Sequence, residues 1–201
     1  NAISGILART GNVYGENVVI NDSGQNSLSL SLGGIYTFKH STFGNYWTNS
    51  FRSFPTVQIQ NFLQLSATEA AVANLSATFT NCIIYGNDRR ELGLSRVDDT
   101  AVLFDVNFTN SLIRFEDPNG DFTDDPLYNF EDEMLYTNSV FNADPVFQDT
   151  GLHNFNIELG NSAADGIGKP GTLPLVDLNN TARSATAPSA GAYEAVEFPD
   201  L

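Results

Sequence analysis

The chain has 201 residues, 41% of them apolar and 11% aromatic, so it can bury a core as one domain and does not read as disordered. Nine basic residues stand against 24 acidic ones, a formal net charge of −15. Such a field excludes nucleic acid and anionic membrane surfaces as partners and favours cations, and no window resembles a membrane span or a signal peptide.

In chain order the sequence alternates two kinds of short run rich in β-branched and aromatic residues. NVYGENVVIN around Asn17 is followed by SLSLSL with Leu28, Leu30 and Leu32. YTFKHSTFGN around His40 leads through an aromatic loop into TVQIQN with Val57 and Ile59. ATFTNCIIYGN around Asn81 is followed by ELGLS with Leu92 and Leu94, and VNFTNSLIRF around Asn110 by an acidic loop. MLYTNSVFN around Asn138 precedes FNIEL with Phe155, Ile157 and Leu159. None carries an apolar stripe at helical spacing, so both kinds read as strands.

Superposed on the polar origin, the five first runs share one register. Two positions before it stand Gly15, Phe38, Phe79, Phe108 and Tyr136; one after it, the small residues Val18, Ser41, Cys82, Ser111 and Ser139; three after it, Ile20, Phe43, Ile84, Ile113 and Phe141. Origins 23, 41, 29 and 28 residues apart mark a solenoid with a fixed core and uneven repeat length. At least two strands per repeat, stacked like on like, predict an all-β parallel β-helix over residues 1–159. In it the small and large residues point inward, and the Asn side chains bond to one another up a ladder in which His40 is the one substitution. The first repeat begins in mid-pattern, which predicts that the rest of a longer chain packs against it.

The tail DPVFQDTGLHNFNIELGNSAADGIG, then VDLNNTAR, then GAYE resembles the C-terminal signature of secreted right-handed parallel β-helix proteins of Bacteroidetes-type bacteria. The resemblance rests on Asp144, Pro145 and Phe147; Ser162, Ala163, Asp165 and Gly168; Asp177, Leu178 and Arg183; and Gly191, Ala192, Tyr193 and Glu194. HSTFGNYW and FTNCIIYGN are also similar to these proteins. SAAD replaces the family's SPAID, and SAGAYE lacks the preceding Asp-Ile. The resemblance implies a right-handed coil and a secreted or outer-surface bacterial location, in a family largely without assigned chemistry. Residues 160–201, rich in Gly, Pro, Ala and Ser, are expected to cap the open end of the helix, pinned by an Asp177–Arg183 pair with the Tyr193 hydroxyl nearby.

Two loops carry candidate sites. Asp117, Asn119, Asp121, Asp124 and Asp125 surround a Gly turn with the oxygens a calcium ion needs, although Gly120 is misplaced for an EF-hand and an acidic solvated turn explains the composition too. Tyr46, Trp47, Asn49 and Arg52 lie in a loop that offers a ring face and hydrogen-bonding neighbours to a polysaccharide or surface glycan; packing of that loop onto the body is the alternative. Cys82 occupies the small inward slot and reads as a packed thiol. Parallel β-helices include pectate lyases and polygalacturonases, but no paired carboxylates, catalytic histidine segment, serine-hydrolase, phosphate-loop or zinc pattern stands out. The sequence therefore predicts a non-catalytic adhesion or glycan-binding module, without direct membrane insertion. The alternative is a polysaccharide lyase or hydrolase whose groove lies partly on other coils.

Overall fold

A computed structural model describes residues 3–199 and is all-β apart from one 3-10 turn at Pro126–Tyr128. The strands are β1 Ile6–Glu16, β2 Val19–Ile20, β3 Leu28–Lys39, β4 Thr42–Asn45, β5 Val57–Gln60, β6 Phe62–Gln64, β7 Ala70–Val72 and β8 Leu75–Thr80. They continue as β9 Ile83–Gly86, β10 Leu92–Ser95, β11 Phe104–Thr109, β12 Leu112–Ile113, β13 Val140–Phe141, β14 Phe147–Asp149 and β15 Asn154–Ile157. Among the described residues no helix is long and apolar enough to cross a membrane.

Two curled parallel sheets hold the repeats. The first has the order β10-β5-β3-β8-β11 with β1 also on β3, and the second runs β13-β12-β9-β4-β2. The long β3 bends at Leu32, Gly33 and Gly34, all at positive φ, so its first half pairs with β5 and its second half with β8. A repeat thus contributes three strand segments, one more than the minimum read from the sequence. Leu32 leaves the alternation at that bend and is only half-buried.

The common register appears as contacts. Ile20 pairs with Phe43, Phe43 with Ile84, Ile84 with Ile113 and Ile113 with Phe141. Phe38, Phe79, Phe108 and Tyr136 stack ring on ring at centroid separations of 5.5, 4.9 and 5.6 Å. Gly15 continues this file without a side chain because the Phe38 ring fills the space its Cβ would need. In the small slot each serine hydroxyl accepts from the backbone N–H of the repeat before it: Ser41 from Val18, Ser111 from Cys82, Ser139 from Ser111. Burial pushes the Cys82 thiol up to about 12, so it stays protonated in the core.

All five origins, Asn17, His40, Asn81, Asn110 and Asn138, have φ between 45° and 56°. Asn tolerates this left-handed corner better than most residues because its short amide bonds locally. The amides do not form the expected continuous ladder. Only Asn81 and His40 bond to each other, at 3.1 Å. Four of the five corners hold the tail: Asn110 donates to the Ile167 carbonyl, Asn81 donates to Lys169 O and accepts from Lys169 N, His40 Nε2 meets Thr172 O, and Asn17 donates to Val176 O.

Residues 167–176 therefore run back along the side of the stack, from the fourth corner to the first. A second pass returns beside it, with Gly191 N donating to Asn81 O and Ala192 N to Thr42 Oγ1. Arg183 pairs with Glu194 at 3.5 Å and bonds Asn17 Oδ1 at 2.9 Å, whereas Asp177 accepts from the N–H groups of Asn179, Thr181 and Glu194. The expected Asp177–Arg183 pair is thus two separate clasps. Behind β11, the last long strand of the first sheet, residues 115–141 pack an aromatic group, with Phe115 on Tyr128 at 4.6 Å and Phe130 on Phe141 at 4.2 Å. FNIEL does not join the parallel stack: β15 pairs antiparallel with β14.

Candidate functional site

The outward face of one strip of strands is mostly polar. Leu7, Ser29, Gln58 and Gly93 form one file across β1, β3, β5 and β10, and Arg9, Ser31, Gln60 and Ser95 form the next. Outward positions of a strand alternate with core positions, so Ser29, Ser31, Gln58, Gln60 and Ser95 are each the sequence neighbour of a buried leucine, valine or isoleucine, whereas Arg9 on the edge strand follows half-buried Ala8. At Gly93 a Cβ would collide with Gln58 Oε1 and Pro55 Cγ, so glycine keeps this floor open to its wall.

Two loops raise walls over the floor and enclose a groove of about 980 Å³. One wall is residues 51–55. Arg52 is buried beneath it, forked onto Glu91 at 2.7 and 2.8 Å and reaching Asp88 at 2.9 Å, so its guanidinium anchors the loop. Phe51 is 89% exposed and Phe54 44%, a pair of ring faces offered to solvent along the rim. The sequence pointed to other members of this loop. Tyr46 turns inward against Phe147 and Phe155, and burial raises its hydroxyl pKa. Trp47 is half-buried, with Nε1 donating to Ser50 Oγ, and Asn49 is exposed. Neither Tyr46, Trp47 nor Asn49 lines the groove, and Arg52 lines it only as a committed partner of Glu91. In this loop the phenylalanines carry the exposed ring faces.

The other wall is the acidic loop. Asp117 and Asp121, expected to meet on a calcium ion, meet on Arg90 at 2.8 and 2.6 Å. Asp117 also accepts from the N–H groups of Asp121 and Phe122, and Asp125 caps Leu127 N. Asn119, Asp121 and Asp125 line the groove, whereas Asp124 is exposed elsewhere. Among the described residues no group of three or more His, Cys, Asp or Glu side chains is arranged to hold a metal.

A second cavity, about 660 Å³, adjoins the first, and Phe54 and Gln58 line both. Four of the nine basic residues, Arg9, Arg52, Arg89 and Arg90, line the two, against three of the 24 acidic ones, Asp88, Asp121 and Asp125. The chain's −15 is therefore borne elsewhere on its surface. No protein-family model, curated protein or solved structure matches this chain.

Neither histidine lies in the groove. His40 is buried under the tail, and His153 Nδ1 contacts Asp22 at 2.9 Å on a β-hairpin turn. The groove offers ring faces, amides, hydroxyls and guanidinium groups, a set suited to holding a polar ligand. Arg89 and Arg90 escaped the sequence reading although they stand side by side in NDRREL. Nothing in that segment marks it as the neighbour of a loop 40 residues earlier.

Proposed function

We propose that this chain is a stretch of right-handed parallel β-helix from a secreted or outer-surface protein, acting without catalysis as a glycan-binding or adhesion module. The parallel pairing of like strands in successive repeats, with a positive-φ corner after each, supports the architecture. Half-buried Ile6, Ala8 and Val13 in β1, against fully buried Leu28, Leu30 and Tyr36 beneath them, support further coils of a longer chain on that side.

One observation carries the function: the groove over Gln58 and Gly93, rimmed by the exposed rings of Phe51 and Phe54. Ring faces cover the C–H faces of a sugar, and amides, hydroxyls and guanidinium groups bond its hydroxyls. The test is titration of neutral and acidic polysaccharides, with reducing ends and unsaturated uronates measured in parallel. Binding that is lost in a Phe51→Ala, Phe54→Ala double variant of unchanged melting temperature, with no product formed, is the expected result. Turnover abolished by a single acidic substitution contradicts the non-catalytic reading.

A further inference from the structure

We infer that the ligand of this groove is a carboxylate-bearing glycan chain, lying across the strands and held at its two ends by Arg89 and Arg9. The inference rests on the glycan reading above and names the class of glycan. Its first ground is the local charge: the two joined cavities gather four arginines and three aspartates on a protein with nine basic and 24 acidic residues. Its second is which of those charges are free. Arg52 is spent on Glu91 and Asp88, and Arg90 on Asp117 and Asp121, so Asp88 and Asp121 are matched as well.

Two arginines remain, together with Asp125, whose Oδ1 accepts from Leu127 N. Arg89 has a side chain 70% exposed, and its ion-pair contact, to Glu116, is a loose 4.0 Å. Arg9 is exposed on β1 and makes no ion pair among the described residues. A guanidinium is a planar fork matched to a carboxylate, which a neutral sugar does not supply.

Direction and length follow from the register. Arg9 belongs to β1 and Arg89 stands three residues before β10, with β3 and β5 between them. Three strand spacings amount to roughly 14 Å across the sheet. Because Arg9 is level with Ser95, six residues beyond Arg89, the line between the two arginines also runs obliquely along the strands. The span is that of a short oligosaccharide and more than a single sugar covers. Between the ends the floor is Ser29, Gln58 and Gln60, with Phe54 at the junction of the two cavities. Ser31, also on this floor, is 5% exposed and its hydroxyl has no hydrogen-bond partner among the described residues. A linear chain laid here presents hydroxyls to the amides, one ring face to Phe54 and a carboxylate to each arginine.

The experiment is calorimetric titration with oligogalacturonates from disaccharide to octasaccharide, their methyl esters, and neutral cello-oligosaccharides, on the wild-type protein and on Arg9→Gln, Arg89→Gln and Phe54→Ala. The expected result is uronate affinity that rises with chain length to a plateau and exceeds that of the esters by roughly tenfold. Each arginine variant loosens uronate binding by roughly threefold to tenfold and leaves ester binding unchanged. Esters or neutral chains that bind as tightly as uronates, with loss in Phe54→Ala, overturn this inference and leave the glycan reading standing. A disaccharide that binds as tightly as the longest chain overturns the end-to-end placement. No binding by any member of the three series overturns both.

Discussion

Arg52 and Glu91 form a forked ion pair, 2.7 and 2.8 Å, with side chains 2% and 0% exposed. The remaining lone pairs of the carboxylate are also used, by Thr56 Oγ1 at 2.6 Å, Thr56 N at 3.1 Å and Asp88 N at 2.8 Å. The pair ties the aromatic loop to the start of β10, so the groove wall and its floor are one unit.

Removal of one partner strands the other charge in the interior. Glu91→Ala is expected to cost about 3–5 kcal/mol in denaturant unfolding. Hydrogen exchange in residues 46–55 should accelerate in the same variant. A variant that loses less than 1 kcal/mol, as an exposed pair would, contradicts the anchoring role.

The corner amides hold the tail, and Asn81 does most, with bonds to Lys169 N, Lys169 O and His40. Asn81→Gly keeps the positive φ of 56° accessible and deletes only the side chain. It is expected to destabilise by about 1–3 kcal/mol, through the unpaired Lys169 N–H and the lost bonds, and to raise exchange specifically across 167–191. Exchange that rises evenly over the whole chain would place the tail's anchorage elsewhere.

The stacked interior was legible in the sequence and the tail's path was not, for a physical reason. Inward positions such as Phe79 and Ile84 see only their own file, so their identity repeats and the register can be read. Asn81 repeats equally well, but its amide satisfies whichever backbone approaches, and nothing local distinguishes Asn110 above it from Lys169 beside it. Phe155 and Ile157 mimic an inward strand because the antiparallel hairpin they form alternates in the same way. The groove was half legible: both loops stood out by composition, yet their meeting over Gln58 and Gly93 depends on strand order. Trp47 has the larger ring but is half-buried, and the exposed rings are Phe51 and Phe54, on either side of the buried Arg52.

His40 makes one corner sensitive to acid. Its burial, and secondly the nearby Arg183, lower its pKa from 6.5 to about 4, with Lys39 adding to the effect and the carbonyls of Thr172 and Ser189 opposing it. The unfolded chain binds this proton near pH 6.5 and the folded one only near 4, so between those values the unfolded state holds more protons. The stability contributed by neutral His40 is fully present above pH 6.5, is lost as the pH falls and levels off below 4, a change of roughly 3 kcal/mol. His40→Asn, which restores the residue of the other corners, should show a flatter stability curve than wild type across that window. Parallel curves for the two proteins contradict this.

In the acidic loop Arg90 supplies the positive charge between Asp117 and Asp121. Its guanidinium also lies over the Phe122 ring at 4.7 Å, which packs the loop onto the aromatic group. Melting is expected to be indifferent to chelator and to added calcium, while Arg90→Ala lowers the melting temperature. A rise in melting temperature with calcium, abolished by Asp121→Ala, would return the loop to a metal-binding role.

The proposed glycan site is the groove between Phe54, Gln58 and Arg89. Hydrogen exchange with and without a saturating uronate octasaccharide tests it most directly, because exchange reports location as well as binding. Protection confined to residues 51–60, 87–95 and 118–128, with a further effect at Arg9, is the result this account predicts. Protection on the tail or at the corner asparagines instead, with the groove unchanged, would contradict it.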